Sequence, residues 1–78
     1  MTKTPTRIDA RGLKCPLPVL KAEKALAGMK EPVDLEILAD DPVARIDIPL
    51  MAQKRGLDCA VETLGDGFRF RLTGAAAG

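Results

Sequence analysis

The chain has 78 residues, which is enough for one small domain and too few for two. Hydrophobic residues make up 46% of it and charged residues 29%, a composition typical of a globular chain and not of a disordered one. The net charge of +1 and the two aromatic residues argue against nucleic acid or a membrane surface as a partner, and the absence of histidine excludes a Cys–His catalytic pair.

The first third of the chain predicts a short strand followed by a helix. Residues 7–9 form a weak strand pattern. From Pro16 to about Ala27, apolar residues recur at helical spacing, and Gly28 stands where a glycine often ends a helix. The apolar stripe consists of Val19, Ala22, Leu26 and Met29.

The middle of the chain predicts a second strand and a second helix. Residues 33–39 alternate between apolar and charged side chains, which is typical of a strand with one covered face. We expect Asp41 to cap a short helical turn. We expect Asp47 to cap a separate helix that runs to about Arg55 and is ended by Gly56.

The last third predicts a β-hairpin with a definite register. Residues 57–63 and 68–73 each alternate between two faces, and the segment between them contains two glycines. A two-residue loop at Gly65 and Asp66 gives the same strand pairing as a four-residue loop over 64–67, and we expect a turn of the primed or the four-residue kind. The predicted cross-strand pairs are Cys59 with Leu72, Val61 with Phe70, Thr63 with Phe68 and Glu62 with Arg69.

These elements follow one another in the order β-α-β-α-β-β. Because both helices and the three clear strands have one apolar face, the expected fold is α+β: a two-layer α/β sandwich with a four-stranded mixed sheet and two helices on one face. Residues 1–78 are expected to form a single domain. Its ordered core would span 6–73, and residues 74–78 would be a flexible tail.

The stretch DARGLKCPLP, residues 9–18, carries the candidate catalytic residue, Cys15. Pro16 and Pro18 fit the first and third helical positions, because the N–H groups of a first turn have no partner within the helix. This placement makes Cys15 the residue that caps the helix. A thiol at the positive end of a helix is expected to have a lowered pKa.

Cys15 has no neighbouring thiol, since Pro18 occupies the position where a Cys-x-x-Cys motif has its second cysteine. A sulfur atom loaded on Cys15 therefore has to leave to a group outside this loop, as a carrier requires. The other cysteine, Cys59, shares a strand face with Leu57 and Val61, so we expect a structural role for it; the alternative is a distant resolving thiol.

The rest of the stretch supplies the candidate supporting residues. Arg11 and Lys14 bring positive charge. They would stabilise a thiolate or meet an acidic partner, or they are ordinary solvated loop residues. Gly12 would allow the loop to bend towards the sulfur. Asp9 begins the stretch and is included with it.

The stretch from Asp9 to Pro18 resembles the signature of the TusA/SirA/YedF family of small sulfur-carrier proteins. Residues 39–42 and 47–49 resemble a second block of that family, and the likeness covers nearly the whole chain. The resemblance implies the same two-layer fold. It also implies that Cys15 accepts sulfane sulfur as a persulfide and transfers it, with no cofactor and little turnover of its own.

The resemblance also implies two kinds of protein partner. A cysteine desulfurase or a rhodanese-like enzyme would donate sulfur, and a protein of a sulfur relay, such as tRNA thiolation or sulfur metabolism, would accept it. We expect transient protein–protein contacts, a monomeric chain, and no direct contact with nucleic acid or membrane. The alternatives are a thiol-based redox sensor and a regulatory adaptor, each acting through Cys15.

Compartment and metal content are predicted from what the sequence lacks. The chain has no apolar run long enough to span a bilayer, and its start has no signal-peptide pattern, so we expect a cytoplasmic protein. Cysteine and histidine do not cluster as they do in zinc sites, so no metal is expected.

Overall fold

Residues 6–30 and 32–74, the part of the chain that this computed structural model describes, contain four strands and two helices. The elements are β1 (Thr6–Asp9), α1 (Leu17–Ala27), β2 (Val33–Ala39), α2 (Ala44–Lys54), β3 (Asp58–Leu64) and β4 (Gly67–Gly74). The predicted order β-α-β-α-β-β is confirmed. No helix in the described ranges is both long and apolar enough to cross a membrane.

The four strands form one mixed sheet in the order β1-β2-β4-β3. β1 and β2 are parallel and joined by α1, as a parallel pair requires a crossover connection. β4 lies antiparallel between β2 and β3. Apolar side chains from both helices meet one face of the sheet in a single cluster, so the predicted two-layer α+β fold is confirmed.

The hydrophobic core lies between that face of the sheet and the two helices. The alternation in β2 places four side chains in the core, and β4 adds two more, among them Phe70, which is fully buried. Burial of one large apolar side chain stabilises a fold by about 1.5–3 kcal/mol, so these strands contribute much of the stability. The core residues of the sheet and helices include Val33, Leu35, Ile37, Ala39, Phe70, Leu72, Ala22, Leu26, Ile48 and Ala52.

The opposite face of the sheet carries ion pairs. Glu36 is only 8% exposed, and the Arg7 Nε atom lies 2.7 Å from its Oε1 atom. Arg69 pairs with Glu62 across the hairpin, which confirms that predicted pair. The remaining pair joins Arg71 to Asp34. Exposed pairs of this kind add little stability, so the fold depends mainly on the core.

The hairpin has the predicted register and a different turn. Its predicted cross-strand pairs are all present, and Leu64 pairs with Gly67, which leaves a two-residue loop. Neither Gly65 nor Asp66 has positive φ, so the expected primed turn is wrong. Register depends on which side chains reach the core, whereas the turn type is a local backbone choice. A Cβ atom at Gly67 would lie 2.6 Å from the Ala39 carbonyl oxygen, so glycine is needed there.

The second helix is one element and begins earlier than predicted. Asp41 does act at its start, because its Oδ1 atom accepts the Val43 N–H at 3.1 Å. The helix then begins at Ala44 and continues through Pro49, so the expectation that Asp47 caps a separate helix is wrong. Aspartate and proline mark a helix start only in the absence of a preceding turn that continues into them. As predicted, the helix ends before Gly56, whose φ is +71°.

The predicted tail is too long by one residue. Gly74 is the last residue of β4 and pairs with Val33, so it belongs to the sheet. A Cβ atom at Gly74 would lie 2.6 Å from a terminal side-chain atom of Leu57, so a larger residue there requires the Leu57 side chain to move. Residues 75–78 lie outside the described residues.

The core position of Phe70 leads to a stability prediction. Phe70→Ala removes a fully buried ring and leaves a cavity, so we expect a loss of about 3–5 kcal/mol in the free energy of unfolding. Val61 is its cross-strand partner but is 41% exposed, and Val61→Ala should cost about 1 kcal/mol or less. Urea unfolding followed by circular dichroism measures both. Equal losses of unfolding free energy in the two variants would contradict this account of the core. If Phe70→Ala does not fold, Phe70→Leu takes its place.

Candidate functional site

The candidate site forms where two neighbouring strands end. β1 and β2 are parallel, so the loops that follow them leave the sheet at the same edge. The Ala10 N–H donates to the carbonyl oxygen of Leu38 in β2 at 2.7 Å, which holds the start of the first loop against β2. One loop carries Cys15, and the other carries Asp40 and Asp41. The helix that follows the second loop, α2, carries Asp47 in its first turn.

Cys15 precedes the first helix by one residue more than predicted. The Pro16 carbonyl oxygen accepts the first helical hydrogen bond, from the Leu20 N–H at 3.0 Å, so Pro16 and not Cys15 is the capping residue. The peptide bond between Cys15 and Pro16 is cis. Pro18 consequently lies at the second helical position, where its side chain is buried. Cys15 itself is exposed to solvent.

The sulfur of Cys15 faces a carboxylate. Its Sγ atom donates a hydrogen bond to the Oδ2 atom of Asp47 at 3.1 Å. This hydrogen bond raises the pKa of the Cys15 thiol, and partial removal from solvent and the negative charges of Asp47 and Asp41 raise it further. The expected lowering of this pKa is therefore wrong, because the nearest charge to the sulfur is negative and the thiol does not cap the helix.

Asp41 fixes the backbone of Cys15. Its Oδ2 atom accepts the Cys15 N–H at 2.6 Å, while its other oxygen binds the start of α2. The side chain is 8% exposed, so both bonds are sheltered from water. These backbone N–H donors, the Cys15 N–H first, lower the pKa of the Asp41 carboxyl. A single carboxylate thus joins the cysteine loop to the second helix.

Asp40 fixes the loop at a second point. Both of its carboxylate oxygens lie 3.0 Å from the Gly12 nitrogen, whose N–H they accept. Gly12 has a φ of +83°, a conformation that other residues rarely adopt, so the predicted bend at this glycine is present. The loop therefore approaches the aspartates through its backbone and not through its basic side chains.

The two basic loop residues have different surroundings. Arg11 is paired with Asp9, through bonds of 2.9 Å from Nε and 2.8 Å from Nη2. This pairing lowers the pKa of Asp9 to about 2, and it directs the guanidinium to Asp9 instead of to the thiol. Lys14 is exposed, and its charge helps to lower the pKa of Asp41.

The two helices present an open groove and exposed apolar side chains beside Cys15. The groove holds about 250 Å³ and is lined by Pro16, Val19, Glu23, Asp47, Leu50, Met51, Lys54 and Arg55. Five apolar side chains on or beside these helices, here called the docking face, are between 42% and 69% exposed: Leu17, Leu20, Val43, Ile46 and Leu50. Exposed apolar side chains grouped in this way are typical of a protein-binding surface.

Cys59 lies in β3, where it is partly buried and packs against the core. Burial raises the pKa of its thiol. Both cysteines are free, and the predicted structural role of Cys59 agrees with this packing. Within residues 6–30 and 32–74, no three His, Cys, Asp or Glu side chains lie close enough together to hold a metal ion.

The contact between Asp47 and Cys15 was missed in the sequence. Asp47 has the sequence context of a helix cap, and it lies 32 residues from the cysteine that it contacts. Local patterns predict caps, turns and faces, whereas this contact depends on how α2 packs beside the loop. The signal available in the sequence was the family resemblance of both segments, residues 9–18 and 47–49, and that resemblance did not place them together.

Comparison with known proteins identifies the family. The model of a family described as "Sulfurtransferase TusA" matches residues 6–74. The chain belongs to the TusA family. "Sulfur carrier protein TusA" of Allochromatium vinosum is 36% identical over 65 residues, which cover 83% of this chain and 84% of the relative. A protein of Archaeoglobus fulgidus, whose name proposes a sulfur carrier, is 44% identical over 62 residues, or 78% of this chain and 80% of that protein.

A solved structure of a SirA-like protein has the same fold. The crystal structure of a SirA-like protein from Desulfitobacterium hafniense superposes with a TM-score of 0.79 at 30% identity. The match covers 87% of this chain and 95% of that chain. The expected TusA/SirA membership is therefore confirmed by sequence and by fold.

The role of Asp41 can be tested by hydrogen exchange. Asp41→Ala removes the acceptor of the Cys15 N–H, so the Cys15 amide should exchange about tenfold faster, the equivalent of one charge-assisted hydrogen bond. Asp40→Ala is the matched control, because Asp40 binds Gly12 and not Cys15. Exchange followed by NMR measures both. An unchanged Cys15 amide in Asp41→Ala would show that this bond does not hold the loop.

The lowered pKa of Asp41 predicts acid sensitivity. A carboxyl whose pKa is lower in the folded state stabilises the fold fully above its unfolded pKa of about 3.9 and loses that contribution as the pH falls through the folded value. Stability should therefore decline below about pH 4, and Asp41→Asn should decline less steeply. Urea midpoints measured between neutral pH and acid test this. Parallel curves for the two proteins would contradict it.

Proposed function

We propose that this TusA-family protein is a sulfur carrier that holds sulfane sulfur as a persulfide on Cys15. The observation that carries the proposal is an exposed thiol at the start of α1, fixed through its backbone and followed by Pro18 where a second thiol would stand in a redox motif. A TusA relative that spans most of this chain bears the name of a sulfur carrier, which supports the same role.

Loading is a transfer of one sulfur atom between two thiols. The Cys15 sulfur, having lost its proton, attacks the outer sulfur of a donor persulfide, R–S–SH. A bond forms between Sγ and that sulfur, the donor S–S bond breaks, and the donor leaves as a thiolate that takes up a proton. Overall, Cys15–SH and R–S–SH give Cys15–S–SH and R–SH, so no outside oxidant or reductant is needed. Unloading to an acceptor thiol follows the same steps in reverse.

Two kinds of partner follow from this reaction, a sulfur donor and a sulfur acceptor. The docking face offers exposed apolar side chains on or beside the two helices, and Lys14 adds an exposed charge to the cysteine loop. A small interface of this kind suits brief contacts, which a carrier needs because it has to dissociate after each transfer. A cysteine desulfurase or rhodanese-like donor, a relay protein as acceptor, the cytoplasm as the compartment and a monomeric chain remain our predictions.

The geometry favours a carrier over a peroxide sensor. Sensor cysteines react with small oxidants in the free protein, so they need a low pKa and are often placed beside a resolving thiol. Here a carboxylate raises the pKa of Cys15, and Cys15 and Cys59 are both free. A carrier reacts within a protein complex, where the partner can change the surroundings of the sulfur.

Intact mass spectrometry tests the carrier function. After incubation with inorganic polysulfide, the parent protein and Cys59→Ala should each gain the mass of one sulfur atom, whereas Cys15→Ala should gain none. Dithiothreitol should remove the added mass, as expected for a persulfide.

The two cysteine variants control for each other, because each retains one thiol. The carrier function is wrong if no sulfur is added to the parent protein or if the added sulfur persists in Cys15→Ala. Ready formation of a Cys15–Cys59 disulfide with peroxide, without uptake of sulfur, would favour the redox sensor instead.

A further inference from the structure

The hydrogen bond from Cys15 to Asp47 has a consequence for sulfur transfer beyond the carrier role. Sγ is both the atom that attacks a donor and the atom that leaves when an acceptor takes the sulfur. Asp47 Oδ2 lies 3.1 Å from it, within the reach of direct proton transfer. Asp47 is only partly exposed and belongs to a rigid helix, so the carboxylate is held in place.

The charges around Sγ come from two elements. Asp47 on α2 contacts the sulfur, and Asp41, in the loop before α2, adds a second negative charge. On the cysteine's own loop, Lys14 acts on Asp41, and Arg11 is paired with Asp9. A negative charge on Sγ is therefore disfavoured by its closest neighbour, because two like charges at this distance repel strongly.

We propose that Asp47 retains the cargo: its carboxylate opposes the negative charge that Sγ acquires when the S–S bond breaks, so Cys15 is a poor leaving group and the loaded persulfide resists discharge by small thiols. The proposal rests on the carrier function. In the persulfide any negative charge is on the outer sulfur, one S–S bond of about 2.05 Å from Sγ, whereas discharge places it on Sγ itself, the atom in contact with Asp47. The carboxylate thus opposes the unloaded thiolate more than the loaded persulfide.

The leaving step shows why this matters. When a small thiolate attacks the outer sulfur, the S–S bond breaks and Cys15 departs with the electron pair as a thiolate. Thiols of higher pKa leave more slowly, so a neighbouring carboxylate slows this step. A cargo bound to an exposed cysteine would otherwise be open to every small thiol in solution, since no wall of the fold covers Cys15.

The experiment compares Asp47→Asn with its parent, both with Cys59→Ala so that Cys15 is the only thiol. Asparagine keeps an oxygen that can accept a hydrogen bond from the thiol, and it removes the negative charge. The pH profile of the reaction with iodoacetamide gives the pKa of Cys15. We expect the pKa of Cys15 to fall in Asp47→Asn. The rate of its reaction with iodoacetamide at neutral pH should rise about threefold for each unit by which that pKa falls, because the gain in thiolate is partly offset by the lower nucleophilicity of a less basic thiolate.

The second readout is retention of sulfur. Each protein is loaded with inorganic polysulfide, desalted and mixed with dithiothreitol, and the loss of the added sulfur is followed by intact mass. Asp47→Asn should discharge several-fold faster than the parent. Asp47→Glu should restore slow discharge in part, which a merely structural effect of the substitution would not do.

Asp58→Asn is the matched control, because it removes one negative charge from an exposed position at the start of β3, outside the cysteine loop and the carboxylates that anchor it. It should match the parent in both readouts. Retention by Asp47 is overturned if Asp47→Asn shows the parent's thiol pKa and discharge rate, or if Asp58→Asn changes both as much as Asp47→Asn does. Failure of every protein to load at Cys15 would instead overturn the carrier function. The iodoacetamide profile would still decide whether Asp47 raises the pKa of the Cys15 thiol.

Discussion

The candidate site depends on the Asp41 carboxylate, which accepts the Cys15 N–H at 2.6 Å and the N–H of Val43, the residue just before the second helix. This side chain is short, nearly buried and charged, so its two hydrogen bonds are strong and leave the loop little freedom. Through it the cysteine loop and α2 form one unit. This unit also sets the distance from the sulfur to Asp47, because Asp47 lies in the first turn of the helix whose start Asp41 binds.

The sheet makes that contact possible. The parallel pairing of β1 with β2 brings two loops to one edge, and both loops are short. Ala10 and Leu13 of the cysteine loop pack against the core, and hydrogen bonds from the backbone N–H groups of Gly12 and Cys15 to aspartates hold the rest of that loop. Gly12 contributes by adopting a positive φ that points its N–H at Asp40. The fold therefore presents an exposed sulfur on a backbone that is firmly anchored.

The same aspartates have opposite effects on the backbone and on the sulfur. Carboxylates are good acceptors for the loop N–H groups, and they stabilise the arrangement of the loop. Their negative charges also disfavour a thiolate, which is the reactive form of cysteine. A protein that had to react alone with small molecules would be poorly served by this balance. A carrier that exchanges sulfur within a protein complex gains from a cysteine that is exposed but slow to react outside it.

The sequence by itself determined the order of elements, the two-layer architecture, the hairpin register and the identity of the candidate cysteine. The first three follow from local periodicity, since the apolar faces of β2, α1 and the hairpin can be read directly from residues 17–39 and 58–73. The Cys-Pro-x-Pro pattern was also visible without a structure. The start of α2 was misjudged because Asp47 and Pro49 carry the local signature of a helix start inside a helix.

Only the tertiary structure decided the chemistry around the sulfur. Position at a helix start predicted a lowered thiol pKa, but the residue that caps the helix is Pro16, and the nearest charge to Sγ is Asp47, from 32 residues away. Likewise Arg11, the apparent partner of a thiolate, is paired with Asp9. Charge interactions depend on distance in space, and a distance between two segments is set by their packing and not by the residues of either one.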